Sequence, residues 1–532
     1  MTLAILGISC LAAVLSHTIL FIRGEWDKHA PVLFHCFITC PIALICSLLA
    51  VGLYGITFMF IQVWLCYISS ICLSIIIYRL FLHPLRDFPG KVSARLSTLR
   101  WMKTAAVDRK WHLEVQNMHS VYGDFVRIRP REISVNNFNA IRDLAKCARG
   151  PFYDVNYPHK SLQMTRDRNF HLRRKKIWQK AFSPNAMLAH EGHVRQCCQE
   201  LMGYLSSRGG QPVEVTELMQ RVTFESMGWL VFGKAFNMIQ KGLSHPGFTQ
   251  LRSVKQLGGL LLWAPWTLIL LRNLPFLRSK ATSWLQWCSQ EVVERKQNPT
   301  MTHDLFSHLL DDESKDTDDL VYDSELAVVA GSDSTASTLT AILFLLATHP
   351  DKQAILQKEV DDMNIGGLPM PTSTLVNMPY LNSCINEALR LYPAVMSGSQ
   401  RETGPGGVIL DGQFIPEHML VSMPTYTIHR DKRNFVRPDE FIPERWTSQS
   451  HLTLNPDAFI PFSVGVYGCL GKPFAMMEMR MVISSIMSRF NLRLLPGRPM
   501  SHEASAPAYD CYIIHIPAFS LVFEPRAGNI WA

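Results

Sequence analysis

Hydrophobic positions run almost without a break through the first 78 residues and then give way to amphipathic periodicity. Leu3–Ile22 carries no charge, the polar loop RGEWDKHA follows at 23–30, and 31–78 lacks Asp, Glu, Lys and Arg altogether. One membrane-spanning helix needs about 20 apolar residues. The second block is therefore long enough for two, with a break near residues 50–55, where Gly52 and Gly55 occur. The pattern predicts a membrane anchor over 1–78 with one to three spans, roughly 3–22, 31–51 and 54–78. The alternative to three spans is one long anchor with a hydrophobic helix lying on the surface. The opening MTLAILG has no positive charge, which a cleaved signal peptide would want, so the anchor is read as uncleaved.

Beyond it, residues 79–90 contain HPLRDFPG, two prolines and a glycine that predict a stiff linker. From 91 to 532 the apolar spacing is mostly helical: 109–122, 170–182, 188–206, 212–233, 280–297, 322–348, 350–362, 377–391 and 472–488. Short strand-like runs occur at 124–136, 407–416 and 419–424, and at the C-terminal CYIIHIP and SLVFEP. The expectation is a mainly α catalytic domain with a small β region fed by both ends of the chain. The acidic run DDESKDTDD at 311–319 reads as an exposed connector.

Composition sharpens this picture in two places. The net charge of +8 over 532 residues is modest, and there is no basic arm or nucleic-acid motif, so a nucleic-acid partner is not expected. The positive residues Arg79, Arg86, Lys91, Arg95, Arg100 and Lys103 cluster just after the apolar block and predict a cytoplasmic catalytic domain. Of 13 cysteines six lie in the first 78 residues, and the others form no C-x-x-C pair or zinc-like cluster. In a cytosolic domain they stay reduced, so a disulfide role for Cys469 is not expected.

Three stretches carry candidate chemistry. In the apolar run 326–350, Gly331, Ser332, Asp333, Ser334 and Thr335 are poor helix-interior residues. Either the helix bends and turns its polar face to solvent, or a groove there holds a small ligand beside a carboxylate–hydroxyl pair that relays protons. In INEALRLYP, Glu387 and Arg390 share a helix face, and Arg445 follows in FIPERW; a buried carboxylate between two arginines would be a structural lock. The third stretch is PFSVGVYGCLGKPFA at 461–475, where glycines surround Cys469 just before a helix opened by Pro473. Backbone amides at such a junction lower a thiol's pKa. A packed thiol, a redox cysteine and a metal ligand all remain open; a thiolate on haem iron needs only this loop and a flat cavity.

Taken together, A-G-S-D-S-T (330–335), E-x-x-R with P-E-R-W, and F-x-x-G-x-x-x-C-x-G (462–471) resemble the cytochrome P-450 superfamily of haem-thiolate monooxygenases across roughly 79–525. YRLFLHPLRDFPG and HLRRKKIWQKAFSP are similar to fungal membrane-bound members, and LSHTILFIRGEW resembles tryprostatin hydroxylase-like oxidases of secondary metabolism. The resemblance implies a cytochrome P-450 fold and a haem b whose iron takes Cys469 as axial thiolate, favouring O–O cleavage. It implies that Phe462, Gly465 and Gly471 shape the loop and that Asp333 with Ser334 delivers protons. Ala330 and Gly331 would leave room for dioxygen. Glu387, Arg390 and Arg445 would form the lock, while Arg401, His171 and Lys175 would hold haem propionates.

Three positions depart from the family pattern. Ser334 stands where Thr is usual, with Thr335 next; Tyr467 replaces an Arg or His; and Lys175 replaces an Arg, a point charge in place of a fork. The implied reaction is hydroxylation, epoxidation or a related oxidation of a small apolar molecule. Its electrons would come from NADPH through NADPH–cytochrome P-450 reductase, with cytochrome b5 as a second donor, at the endoplasmic reticulum membrane. The docking face would lie near Lys472 and the run RRKK at 173–176. A haem-thiolate isomerase or dehydratase needing no external electrons, and a non-catalytic haem-binding membrane protein, are the alternatives. The segments 152–164, 236–275 and 394–400 are expected to line the substrate pocket, and 257–276 also suits a bilayer surface.

Overall fold

The computed structural model describes residues 2–98, 103–241, 245–250, 264–273, 275–298, 304–310, 317–363, 369–495 and 508–526. Most of the expected acidic connector and residues 257–263 lie outside these. Three helices long and apolar enough to cross a membrane open the chain: Thr2–Phe21, Asp27–Ala50 and Tyr54–Leu82. Exposed Leu3, Ile8, Ile19, Val32, Ile56 and Phe58 cover them with an apolar surface that water would not favour. Polar contacts join the first helix to the third: Ser9 Oγ donates to the Val63 carbonyl at 3.0 Å, and His17 Nδ1 meets Ser74 Oγ at 2.7 Å.

The proline-bearing segment after the third helix is docked, not free. Leu85 and Phe88 are buried in a cluster with Ile133, Val135 and Val421. Arg127 Nη1 donates to the Arg79 and Leu85 carbonyls, and a Cβ on Gly90 would meet the Arg127 carbonyl at 2.4 Å. That close approach is why glycine stands there.

Helix Thr317–Thr348 runs through the middle of the catalytic part. Against it pack Val215–Met227, Pro275–Gln297, Pro379–Leu391 and Lys472–Arg489. Most of the helices fall where the spacing puts them. The expected helix over 212–233 starts three residues late, because Val213–Glu214 pairs as a strand with Ser520–Pro525. Glu214 then caps the helix, its carboxylate accepting from the Thr216 and Glu217 amides at 2.8 and 2.9 Å. Both ends of the chain feed the sheets, as the strand pattern predicts. The larger sheet orders Phe125–Arg129, Glu132–Val135, Leu420–Ser422, Gln400–Glu402 and Ala148–Arg149 side by side. Its last pair is antiparallel, with Arg149 directly opposite Arg401.

The polar turn between the first two helices lies on the catalytic domain. Glu25 pairs with Arg166 and, at 3.4 Å, with Arg131; both arginines also bind Glu402, Arg131 at 2.6 Å. Lys28 reaches Asp154 at 2.9 Å and sits 4.6 Å over the Tyr157 ring. Helix Pro265–Asn273 packs against residues 27–34. A network of several partly buried charges is worth more than an isolated surface pair. Replacing Glu25 by Arg should therefore speed amide hydrogen exchange in the 22–29 turn several-fold, and the Glu25→Arg, Arg166→Glu double variant should slow it again. Hydrogen exchange of the full-length protein in nanodiscs reads both.

Candidate functional site

The loop around Cys469 is built by its own backbone. Ser463 and Gly465 take left-handed conformations, with φ of 56° and 75°. The Gly468 amide donates to the Gly465 carbonyl at 3.1 Å and the Cys469 amide to the Phe462 carbonyl at 2.9 Å. Helix Lys472–Arg489 follows, with Pro473 in its first turn as expected. The Gly471 and Lys472 amides point at the sulfur and pull its pKa down, yet burial outweighs them and the thiol stays above its ordinary value. The amides act in the expected direction, as does the Lys472 charge, but the net shift is upward because desolvation of the thiolate outweighs them. The side chain nevertheless has exposed surface. Deep placement and free surface together suit a sulfur presented to a bound group.

A group of buried cations stands beside that loop. The Tyr467 ring lies between two guanidiniums, Arg149 at 4.4 Å and Arg401 at 4.9 Å, with the His171 ring 4.9 Å away. Like charges directly opposite on paired strands repel, and Arg149 and Arg401 are so placed. Arg149 Nε, Arg401 Nε and His171 Nε2 are buried without a hydrogen-bond partner among the described residues. Burial and the Arg149 charge hold the His171 pKa below its ordinary value. Lys175 donates to the Val466 carbonyl at 2.5 Å, tying its helix to the cysteine loop. Orphaned donors of this kind fit an anionic group. A flat molecule with carboxylates at one edge and a soft metal at its centre, as haem has, matches both the cations and the sulfur.

The central helix continues unbroken through Gly331–Thr335. Its serines turn back on the backbone, Ser332 Oγ to the Val328 carbonyl and Ser334 Oγ to the Ala330 carbonyl, both at 2.6 Å. Ala330 and Asp333 line a cavity of 360 Å³, whereas Ser334 and Thr335 do not. The room at Gly331 is taken by Met227, whose Sδ lies 2.1 Å from where a Cβ would stand. Phe152, Val155, Asn156, Gln163, Leu268 and Arg272 contribute further wall, so the 152–164 segment and the described part of 236–275 line the cavity. Residues 394–400 do not; the 511–515 hairpin takes that place.

Glu387, Arg390 and Arg445 meet in the core, their side chains fully buried. The carboxylate accepts from Arg390 Nε and Nη2 at 3.0 and 2.8 Å, Arg445 Nε at 2.9 Å, the Ile442 amide at 3.1 Å and Trp446 Nε1 at 3.0 Å. Both guanidiniums spend their remaining donors on loop carbonyls, those of His429, Pro438 and Glu440 for Arg390 and of Val436, Arg437 and Leu452 for Arg445.

The family model for cytochrome P450, here written cytochrome P-450, matches residues 98–509. The chain belongs to the cytochrome P-450 family. It is 36% identical over 530 residues to the cytochrome P-450 monooxygenase FCK2 of Fusarium pseudograminearum, covering 96% of both chains. It is 30% identical over 444 residues to tryprostatin B 6-hydroxylase of Aspergillus fumigatus, covering 81% of this chain and 79% of that one. A crystal structure of the cytochrome P-450 DA haem domain superposes with a TM-score of 0.69 at 19% identity, over 82% of this chain and 98% of that one. This cytochrome P-450 is a haem-thiolate monooxygenase that draws electrons from a redox partner and oxidises an apolar substrate.

Two contributors to its architecture escape sequence reading. Arg149 has no local motif; only the pairing of its strand with 400–402 brings it to Arg401. His429 links the lock to the cysteine loop, its Nδ1 donating to the Arg390 carbonyl at 3.2 Å while Nε2 accepts from the Ile460 amide at 3.0 Å. Those bonds require neutral imidazole, and burial pushes its pKa down to about 3. Buried His112 and His119 are likewise pushed down, to about 3 and about 4.

Removing the charge at the lock by Glu387→Gln leaves two buried guanidiniums short of an anion and should cost about 3–5 kcal/mol. Chemical unfolding of the haem-loaded protein measures it. The depressed histidine pKa values give a second expectation. Above about pH 6.5 these rings are neutral in both states, so nothing is lost. Below it the unfolded chain takes up protons the folded chain refuses, and stability falls by up to about 1.4 kcal/mol per pH unit for each histidine. The melting temperature should therefore drop from pH 7 to pH 5, with a slope one proton shallower in His429→Asn.

Proposed function

We propose that this monooxygenase hydroxylates or epoxidises a small apolar natural product of fungal secondary metabolism, with Cys469 as the haem ligand. One observation carries the assignment: the Cys469 loop, whose sulfur keeps exposed surface, stands beside the orphaned donors of the Arg149 and Arg401 guanidiniums and of His171. Bound there, haem supplies the activation of dioxygen and the transfer of one oxygen atom to the substrate.

The chain's own residues do the rest. The Gly471 and Lys472 amides orient the sulfur and stabilise its negative charge once a metal binds. Arg149, Arg401 and His171 hold the propionates, with the Tyr467 ring as a spacer between the two guanidiniums and Lys175 bracing the loop. Phe462, Gly465 and Gly471 set the loop's path. Asp333 handles protons at the cavity wall. Ser334 shares that task by rotating its hydroxyl away from the Ala330 carbonyl, which it otherwise occupies. Thr335, the next hydroxyl in this run, does not line the cavity.

Electrons come from NADPH through NADPH–cytochrome P-450 reductase, with cytochrome b5 as a second donor. The acidic partner docks on exposed Arg173, Lys176 and Lys472, since Arg174 and Lys175 of the same run turn inward, Arg174 to Asp323 at 2.5 Å. Residues 1–78 act as a three-span anchor in the endoplasmic reticulum membrane, followed by the 79–90 segment and a catalytic domain over 91–532. With three spans, the charged 23–30 turn and the catalytic domain share one face of the bilayer, the cytoplasmic one by the positive-inside rule.

Cys469→Ala should lose the red-shifted ferrous–CO band and all turnover, while the wild type turns over only with reductase, NADPH and dioxygen. A variant that keeps the band removes Cys469 as ligand. Wild-type turnover without reductase points instead to an isomerase or dehydratase.

A further inference from the structure

The cavity beneath Asp333 extends along the central helix, where Tyr322, Glu325, Val329 and Asp333 recur on one face. Its wall is largely apolar, with Phe152, Leu268 and Trp284 among the contributors. Against that background Glu325 stands out. Its side chain is half-buried against the cavity, and among the described residues it makes no hydrogen bond and no ion pair. Two other acidic side chains of the same wall are engaged: Glu214 caps a helix and Glu217 pairs with Arg221.

A carboxylate in an apolar cavity without a donor is costly by several kcal/mol. The nearest compensation is Arg272, whose charge acts on Glu325 without forming an ion pair with it. Arg272 Nη1 is already committed to the Val155 carbonyl at 3.3 Å and Asn156 Oδ1 at 3.0 Å, holding one cavity wall to another. Burial raises the Glu325 pKa and Arg272 opposes the rise. Whether ionised or protonated, the group keeps a carboxyl oxygen that accepts a hydrogen bond. Gln220, also on this wall, has an amide with no hydrogen-bond partner among the described residues, a second polar group available to the same ligand.

We infer that Glu325 is a specificity-determining residue that receives a hydrogen-bond-donating nitrogen, N–H or N–H⁺, of an otherwise apolar substrate. The inference rests on the monooxygenase site proposed above and adds the substrate's polar handle. Glu325 and Asp333 are eight residues apart on one helix, about 12 Å along its axis. The nitrogen therefore sits at the far end of the cavity, and the oxidised carbon lies on the order of 10 Å from it. A substrate carboxylate brings no N–H for Glu325 to accept.

Four probes with a common phenylbutyl body separate the possibilities: N-(4-phenylbutyl)acetamide, 4-phenylbutyl acetate, N,N-diisopropyl-4-phenylbutylamine and 6-phenylhexanoate. The amide and the ester differ only in the N–H, and the hindered tertiary ammonium is a poor iron ligand. Full-length haem-loaded protein in nanodiscs is titrated with each, reading the low- to high-spin shift and, independently, quenching of tryptophan fluorescence. The amide or the ammonium should bind at least about ten-fold tighter than the ester and the carboxylate. Whichever is tighter tells a neutral N–H from a protonated amine. Glu325→Ala should erase the preference, and Glu325→Asp should retain part of it, which guards against a folding defect in the alanine variant. An ester that binds as tightly as both the amide and the ammonium in the wild type overturns the inference, as does a preference unchanged in Glu325→Ala. Tightest binding of the carboxylate also overturns it and gives the polar handle to Arg272. An intact ferrous–CO band in the variants keeps the failure of this inference distinct from a failure of Cys469 as ligand.

Discussion

Out of reach of water, the Glu387 carboxylate has to be neutralised by protein groups alone, and the way this is done fixes the position of the cysteine loop. Five donors converge on it, three of them from two guanidiniums whose other N–H groups gather carbonyls from 429 to 452. A buried ion pair by itself is weak evidence for stability, because desolvation offsets much of the attraction. Its consequence here is geometric. The loops it gathers lead directly into Ile460, whose amide is held by His429. The loop that presents Cys469 is thereby pinned nine residues upstream of the sulfur.

The cationic cluster across from the loop follows the opposite logic. At the lock every charge has its partner within the protein. Around Tyr467 the protein brings Arg149, Arg401 and His171 together and leaves donors unmet. Folding such a cluster without an anion costs free energy, so binding of a carboxylate-bearing group and folding of this region reinforce one another.

Reading residues in order recovers what depends on local spacing. The longer helices among the described residues after 108, the apolar N-terminal block, the cysteine loop and the Glu387–Arg390 pair all leave period or motif in the chain. What it does not recover arises from contact between distant segments. Arg149 becomes a partner of Arg401 through strand pairing across 252 positions. The amide donors at Cys469 are visible in a loop–helix junction, whereas the burial that outweighs them is not. RRKK reads as one basic run, yet helical geometry sends Arg174 to a buried aspartate and Arg173 outward. The proline segment read as a spacer is packed into the core through Leu85, a role that only the position of Arg127 makes evident.

The ion network under the 22–29 turn has a consequence for how the chain is made. Glu25 and Lys28 emerge early in synthesis, whereas their partners at 131, 154, 166 and 402 follow much later. Glu402 is translated about 380 residues after Glu25, which at typical elongation rates is a delay of roughly 20 to 75 seconds. During that interval the charges of the turn have only water as partner. They keep it soluble until the catalytic domain closes over it.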